Sequence, residues 1–228
     1  MRYFRIVLYL IAVLGFSNAR SDAGVDFFRA VNTDNASTVQ ALLQQGFDPN
    51  TLNPAGQTPL YLAIKDESPK VVAVLLASPQ LKPDLANAAG ETPLMMAALR
   101  GQLEWTQQLA ALGAKLNREG WTPLHYAATN GNNEIVKYLV DHAAYIDAES
   151  PNGSTPLMMA ARGGHIETVK LLLDEGADMR LRNQQGMTVI DFAERYNQPE
   201  IASGLKSRWQ KLYPQTPMEA PARRKGAN

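Results

Sequence analysis

Short apolar clusters alternate with polar breaks along most of this chain, and the alternation recurs. In "TPLMMAALRGQLEWTQQLAALGA", Leu94, Ala97 and Ala98 fall at i, i+3 and i+4, one face of a helix. A polar break follows, then a second apolar stretch. In "TPLMMAARGGHIETVKLLLDEGA", Val169, Leu172 and Leu173 repeat that spacing, and Gly176 is placed to end the helix in a left-handed conformation. Each segment therefore predicts two short helices and a turn. Threonine can cap the first helix through its side-chain oxygen. Proline at the first helical position loses no bond, because its N–H would be unpaired there anyway.

The pattern starts at Thr58, Thr92, Thr122 and Thr155, with a degenerate copy at Thr188, so the spacings are 34, 30, 33 and 33 residues. The second apolar stretches read "VVAVLLAS", "WTQQLAALGA", "EIVKYLVDHA" and "ETVKLLLDEGA". Two copies depart from the rest. The unit at 57–90 carries "ASPQLKPD" where the others have a Gly-Ala-Asp step. The unit at 91–120 is three residues short, and its exit "GAKLNREGW" leaves Arg118 and Glu119 alone between Asn117 and Gly120. A shorter finger there should leave a notch edged by Trp121.

Fixed-period self-similarity marks repeat architectures. "GSTPLMMAARGGHIETVKLLLDEGADMRLRNQQG" and "GWTPLHYAATNGNNEIVKYLVDHAAYIDAESPNG" resemble ankyrin repeats nearly position for position. The resemblance covers roughly residues 24–213. It implies an all-α solenoid of about six stacked helix pairs with short β-hairpin-like fingers. Residues 24–56 form an N-terminal cap, 57–90, 91–120, 121–153 and 154–186 are internal repeats, and 187–213 form a C-terminal cap. "ERYNQPEIASGLKSRWQKLY" suits a cap, since nothing stacks on its polar outer face. Residues 214–228, with their Pro and the Arg223-Arg224-Lys225 cluster, are expected to be disordered.

The first residues read differently. Arg2 and Arg5 precede an uncharged stretch from Ile6 to Phe16, and small residues follow it. That is the order of a signal peptide, 1–19 or 1–23, cleaved after Ala19 or Ala23. Eleven apolar residues span about 17 Å as a helix, short of the roughly 30 Å membrane core. Removing 1–19 leaves 20 basic and 22 acidic residues, a formal charge of −2. A chain exported without any cysteine suits the bacterial periplasm. Secretion, or retention by an uncleaved N-terminal anchor, is the alternative. Balanced charge gives no reason to expect nucleic acid or membrane as a partner.

Candidate chemistry is thin. With no Cys and only three His, thiolate sites and thiol nucleophiles are excluded. No His has a Ser or acidic partner at a motif spacing, so no catalytic residue is assigned and the chain is not read as an enzyme. The repeated Met-Met pairs, Met95-Met96 and Met158-Met159, invite a copper reading. One whole repeat separates them, about 16–20 Å at ordinary helix spacing, too far to share an ion. Packing explains them better: Met95 flanks the core face, while Met96 points more nearly away from it. A periplasmic metal-handling protein using Met and His is thus the weaker alternative, and no cofactor or metal is assigned. His125 and His165 should make interior or inter-repeat hydrogen bonds, by resemblance.

The resemblance implies partner binding through the concave finger and first-helix face. Carried over residue by residue, the finger side is Gln57, Glu91, Trp121, Ser154 and Met187. The first-helix ends are Lys65-Asp66, Leu99-Arg100, Thr129-Asn130, Arg162-Gly163 and Arg195-Tyr196. Trp, Tyr and Arg are the usual anchors of interfaces. The partner-binding set centres on Trp121, with Glu119, Arg100, Leu99, Glu91, Asn130 and Arg162 around it. The function expected is an exported scaffold for protein–protein interaction with an unidentified protein partner. An effector binding a host protein is the alternative.

Overall fold

The computed structural model describes residues 23–215 and residue 218. The proposed signal segment through Asp22 and the Arg223-Arg224-Lys225 cluster lie outside the described residues. Helix α1 covers residues 23–32. Eleven more follow: α2 (Ala36–Gln44), α3 (Pro59–Lys65), α4 (Pro69–Leu76), α5 (Pro93–Arg100), α6 (Leu103–Ala111), α7 (Pro123–Thr129), α8 (Asn133–Asp141), α9 (Pro156–Gly163), α10 (Ile166–Asp174), α11 (Val189–Arg195) and α12 (Pro199–Leu212). No strand occurs among the described residues. The helices fall into consecutive pairs, as the repeat predicts. They form two compact units that divide between Pro93 and Leu94.

In the first unit, Phe27 is fully buried and stacks on Phe47 with ring centroids 4.3 Å apart. Leu60 to Ile64 of α3 and Val71, Val72 and Leu75 of α4 complete the core. Thr58 caps α3 by accepting from the Tyr61 N–H at 3.2 Å, and Pro59 opens the helix. The insertion after α4 is tied down by Asn50. Its amide donates to the Gln80 carbonyl and its oxygen accepts from the Lys82 N–H, both at 2.8 Å.

The second unit buries one continuous apolar cluster. First helices supply Leu124, Ala127, Ala128, Leu157, Ala160, Ala161 and Ala193. Second helices supply Ile135, Val136, Leu139, Leu172, Ile201, Leu205 and Trp209. Alanine on the first helices lets α9 pack between α7 and α11 while it also rests on α10. That enclosure corrects the expected orientation of the second methionine of each pair. Met159 is 4% exposed, and Met96 is buried as well. A helix with neighbours on both flanks and behind it has little surface left to turn away from the core.

Four of the fingers are turns closed by a backbone pair. Ser150 N–H donates to the Ser154 carbonyl, and Asn183 N–H to that of Met187, both at 3.0 Å. Asn53 and Gln57, and Asn87 and Glu91, pair likewise in the first unit. Residues 112–122 link α6 to α7, whereas 142–155 and 175–188 make the later links. The shorter link has no such turn at residues 117–121.

On α12, Ser203, Lys206, Ser207, Gln210 and Lys211 are exposed. Met218 packs against the apolar cluster, and its carbonyl accepts from Arg182 Nη2 at 2.8 Å.

Candidate protein-interaction face

Three first helices of the second unit begin with the same device, built from different side chains. At α7, the Thr122 N–H donates to His125 Nδ1 at 3.2 Å. At α9, the Thr155 N–H reaches Met158 Sδ at 3.5 Å. At α11, the Thr188 N–H donates to an Asp191 carboxylate oxygen at 2.6 Å. Each satisfies a backbone donor at a helix start. Met158 thus takes the place of an imidazole as cap acceptor, which accounts for one member of the second Met-Met pair.

His125 is fully buried. Because Nδ1 accepts, the proton sits on Nε2, which donates to the Ser154 carbonyl at 2.9 Å. Burial lowers its pKa from 6.5 to about 4, against the opposing pull of backbone hydrogen bonds at Ser154 and Ala148. The ring is therefore a neutral strut. Trp121 stands edge-on to it with centroids 5.3 Å apart, and edge-on to Tyr126 at 6.4 Å. Trp121 remains 37% exposed.

The ends of the first helices are stitched to the following repeat. Asn130 Nδ2 donates to the Leu99 carbonyl at 3.0 Å, and Asn132 Nδ2 donates to the Ala98 carbonyl at 2.6 Å. His165 Nε2 bonds the Thr129 carbonyl at 3.0 Å, the inter-repeat role expected of it. These side chains satisfy helix-terminal carbonyls that would otherwise lack partners.

The sequence-derived face therefore divides. Trp121, Glu119, Arg100 and Arg162 are exposed in the second unit. Asn130 is exposed, but its amide is committed to Leu99, itself half-buried. Ser154, one of the finger-side positions, is buried. Glu91 belongs to the first unit. There its carboxylate accepts from the Tyr61 hydroxyl at 2.7 Å and from Asn87 Nδ2 at 2.9 Å, so it braces a finger.

Tyr196, left outside the set centred on Trp121, has a larger part than its position alone suggested. The Arg162 guanidinium lies 4.9 Å from its ring centroid. Arg195 next to it reaches Met187 Sδ at 3.2 Å and Gln185 Oε1 at 3.4 Å. The sequence signal for this stack was the register itself, since Arg162 and Arg195 occupy the same position one repeat apart.

Among the described residues, no three His, Asp or Glu side chains converge as metal ligands, and no helix is long and apolar enough to cross a membrane.

With the helix pairs and fingers in view, the chain matches the family "Ankyrin repeats (3 copies)" over residues 27–118, 76–150 and 143–211. Its curated relatives include the rat "Ankyrin repeat and SAM domain-containing protein 6", 35% identical over 102 residues, which are 43% of this chain and 10% of that protein. The zebrafish (Danio rerio) "Notch-regulated ankyrin repeat-containing protein A" is 42% identical over 126 residues, 52% of this chain and 82% of its own length. Human "Transient receptor potential cation channel subfamily A member 1" is 30% identical over 114 residues, 49% of this chain and 10% of that channel subunit. The match thus spans only about a tenth of the rat and human proteins. Ankyrin repeats generally serve as scaffolds for protein–protein interaction, and no catalytic family is indicated. On its period, its paired helices and the extent of this match, the chain belongs to the ankyrin-repeat family.

Proposed function

We propose that this protein is exported and binds another protein through the finger and first-helix face of its second unit. One observation carries the reading. Arg100, Trp121, Arg162 and Tyr196 stand exposed at finger and first-helix positions, while the ends of α5 and α7 are bonded to the following repeat through Asn130, Asn132 and His165. Trp121 and Tyr196 keep more than a third of their surface exposed on this face. A face held in place by inter-repeat bonds loses less entropy on association than a loop that must order.

Affinity capture from an envelope extract, with wild type, Trp121→Ala and Arg100→Glu in parallel, tests the face. Specific partners should be lost or reduced with both variants. A partner retained equally by all three places the binding surface elsewhere. The export half of the proposal rests on Arg2, Arg5 and the apolar run Ile6–Phe16. Fractionation of the full chain, with N-terminal sequencing of the product, should give periplasmic protein beginning at Arg20 or Gly24. Unprocessed cytoplasmic protein refutes it.

A further inference from the structure

We infer that this face takes an acidic, extended segment of the partner protein. The inference rests on the interaction reading above and adds the partner's chemistry. It starts from a local charge excess. The first-helix ends of the second unit expose Arg100, Arg162 and Arg195 in one register of the repeat. The short finger adds one charge of each sign, Arg118 and Glu119. At the base of the later fingers, Glu149 and Arg182 occupy equivalent positions and offset each other. The face is cationic although the chain as a whole carries no net charge.

Nearby carboxylates do not neutralise the two central arginines. Asp191 accepts from the Thr188 N–H at 2.6 Å and from its hydroxyl at 2.8 Å. Glu194 pairs with Lys206 of α12 at 2.6 Å. Among the described residues, neither Arg162 nor Arg195 has a carboxylate partner. Their present contacts are with an aromatic ring, a thioether and an amide oxygen, none of them charged. The Arg162 guanidinium lies over the Tyr196 ring, a contact that spends no N–H on an oxygen acceptor and leaves those donors for a carboxylate. Arg195 donates through Nη1 to a thioether at 3.2 Å and an amide oxygen at 3.4 Å, both weaker acceptors than a carboxylate.

Two guanidinium forks in consecutive repeats suit carboxylates spaced along one extended chain. Trp121 and Tyr196, 37% and 39% exposed, offer apolar contact to side chains between those carboxylates. A nucleic acid strand would also meet cations and aromatic rings. The protein segment is favoured because so few cations line the face and acids stand among them, whereas phosphate recognition gains affinity with each neutralised charge.

Selection of a random dodecapeptide display library on the purified protein tests the inference. Enriched peptides should be rich in Asp and Glu with an aromatic or aliphatic residue among them. A synthetic representative should lose at least about tenfold in affinity with Arg162→Gln/Arg195→Gln and with Trp121→Ala. It should also weaken at high salt, where exposed charges are screened. Lys170→Gln/Lys211→Gln, on the second helices, should leave binding unchanged. Neutral or basic peptides that are lost with Trp121→Ala overturn the acidic partner and leave the face standing. Peptides bound equally by every variant overturn the face itself, and a selection that enriches nothing counts against both. Tighter binding of a single-stranded oligonucleotide than of any selected peptide overturns the protein segment as occupant.

Discussion

His125 Nε2 donates to the carbonyl of Ser154 at 2.9 Å, tying the first turn of α7 to the finger of the next repeat. The same carbonyl also accepts from the Ser150 N–H at 3.0 Å. One oxygen thus closes a finger and receives the neighbouring helix. On its other side the imidazole holds the start of α7 and meets the edge of Trp121. A buried side chain therefore supports the most exposed aromatic of the short finger.

That strut makes stability depend on pH. The folded ring has a pKa near 4 and the free imidazole 6.5. Between those values the unfolded chain binds a proton that the folded one refuses. Stability from this group is complete above pH 6.5 and falls as pH drops toward 4. Below about 4 both states are protonated and the slope vanishes. The full span is about 3 kcal/mol. His125→Met copies the arrangement at Met158 and removes the titration. At pH 7 it should cost about 1 kcal/mol for the lost bond to Ser154. The two proteins should cross on acidification, with the methionine variant the more stable at pH 4. Urea unfolding of both at pH 7, 5.5 and 4 checks this, and parallel curves refute it.

Met158 invites the converse test. Its sulfur accepts the Thr155 N–H at 3.5 Å while the side chain fills the core. Met158→Leu keeps the volume and removes that acceptor, so it should cost under about 1.5 kcal/mol. Met158→Ala opens a cavity and should cost about 2–5 kcal/mol. Equal losses in the two variants would show that capping, not packing, is the side chain's main task.

The stitching between repeats sets a steric rule at Gly131. Its φ is +73°, and an added Cβ would stand 2.6 Å from His165 Nδ1. Gly113 also has positive φ, +87°, but nothing lies within 4 Å of its Cβ position. Gly113→Ala should cost only the left-handed strain, about 1–2 kcal/mol. Gly131→Ala should cost that plus roughly 1–3 kcal/mol for displacing the imidazole. Thermal unfolding gives the ranking, and a Gly113 variant as damaged as the Gly131 variant contradicts it.

These cases show what the primary structure makes readable. Helix pairs, caps and the missing turn of the short finger follow from local chemistry: Thr before Pro, apolar spacing, and residues 112–122 against 142–155. The burial of Met96 and Met159 does not, because a single helix cannot report how many neighbours enclose it. Asn130 and Glu91 read as exposed polar residues at family interaction positions. The Leu99 carbonyl that engages Asn130 is 31 residues away, and the Tyr61 hydroxyl that engages Glu91 is 30 away. Only the stack brings them together. The Arg162–Tyr196 contact differs, because the repeat register places both at first-helix ends one repeat apart.

One residue breaks the stitching pattern in a way that can be repaired. Asn50 and Asn117 each donate to one carbonyl of the following loop and accept from an N–H two residues later. For Asn117 these are the Ala143 carbonyl at 2.8 Å and the Tyr145 N–H at 2.7 Å. Asp147 holds the same register and accepts from the Asp178 N–H at 3.1 Å, but a carboxylate has no N–H to offer the Gly176 carbonyl. Burial raises its pKa, only partly opposed by the Asp178 N–H, and the Asp178 charge raises it further. The ionised form is therefore the less comfortable one in the fold, and its cost is relieved as pH falls through the raised pKa. Asp147→Asn supplies the missing donor and removes the charge. It should stabilise the protein by about 0.5–1.5 kcal/mol at pH 7, the worth of one net hydrogen bond. The charge-dependent part of that gain should fade as pH falls through the raised pKa and be gone at pH 3.5, below the ordinary carboxyl value of 3.8. Urea midpoints at both pH values decide it: a destabilised asparagine variant at pH 7 would mean that the carboxylate is the preferred partner of the Asp178 N–H.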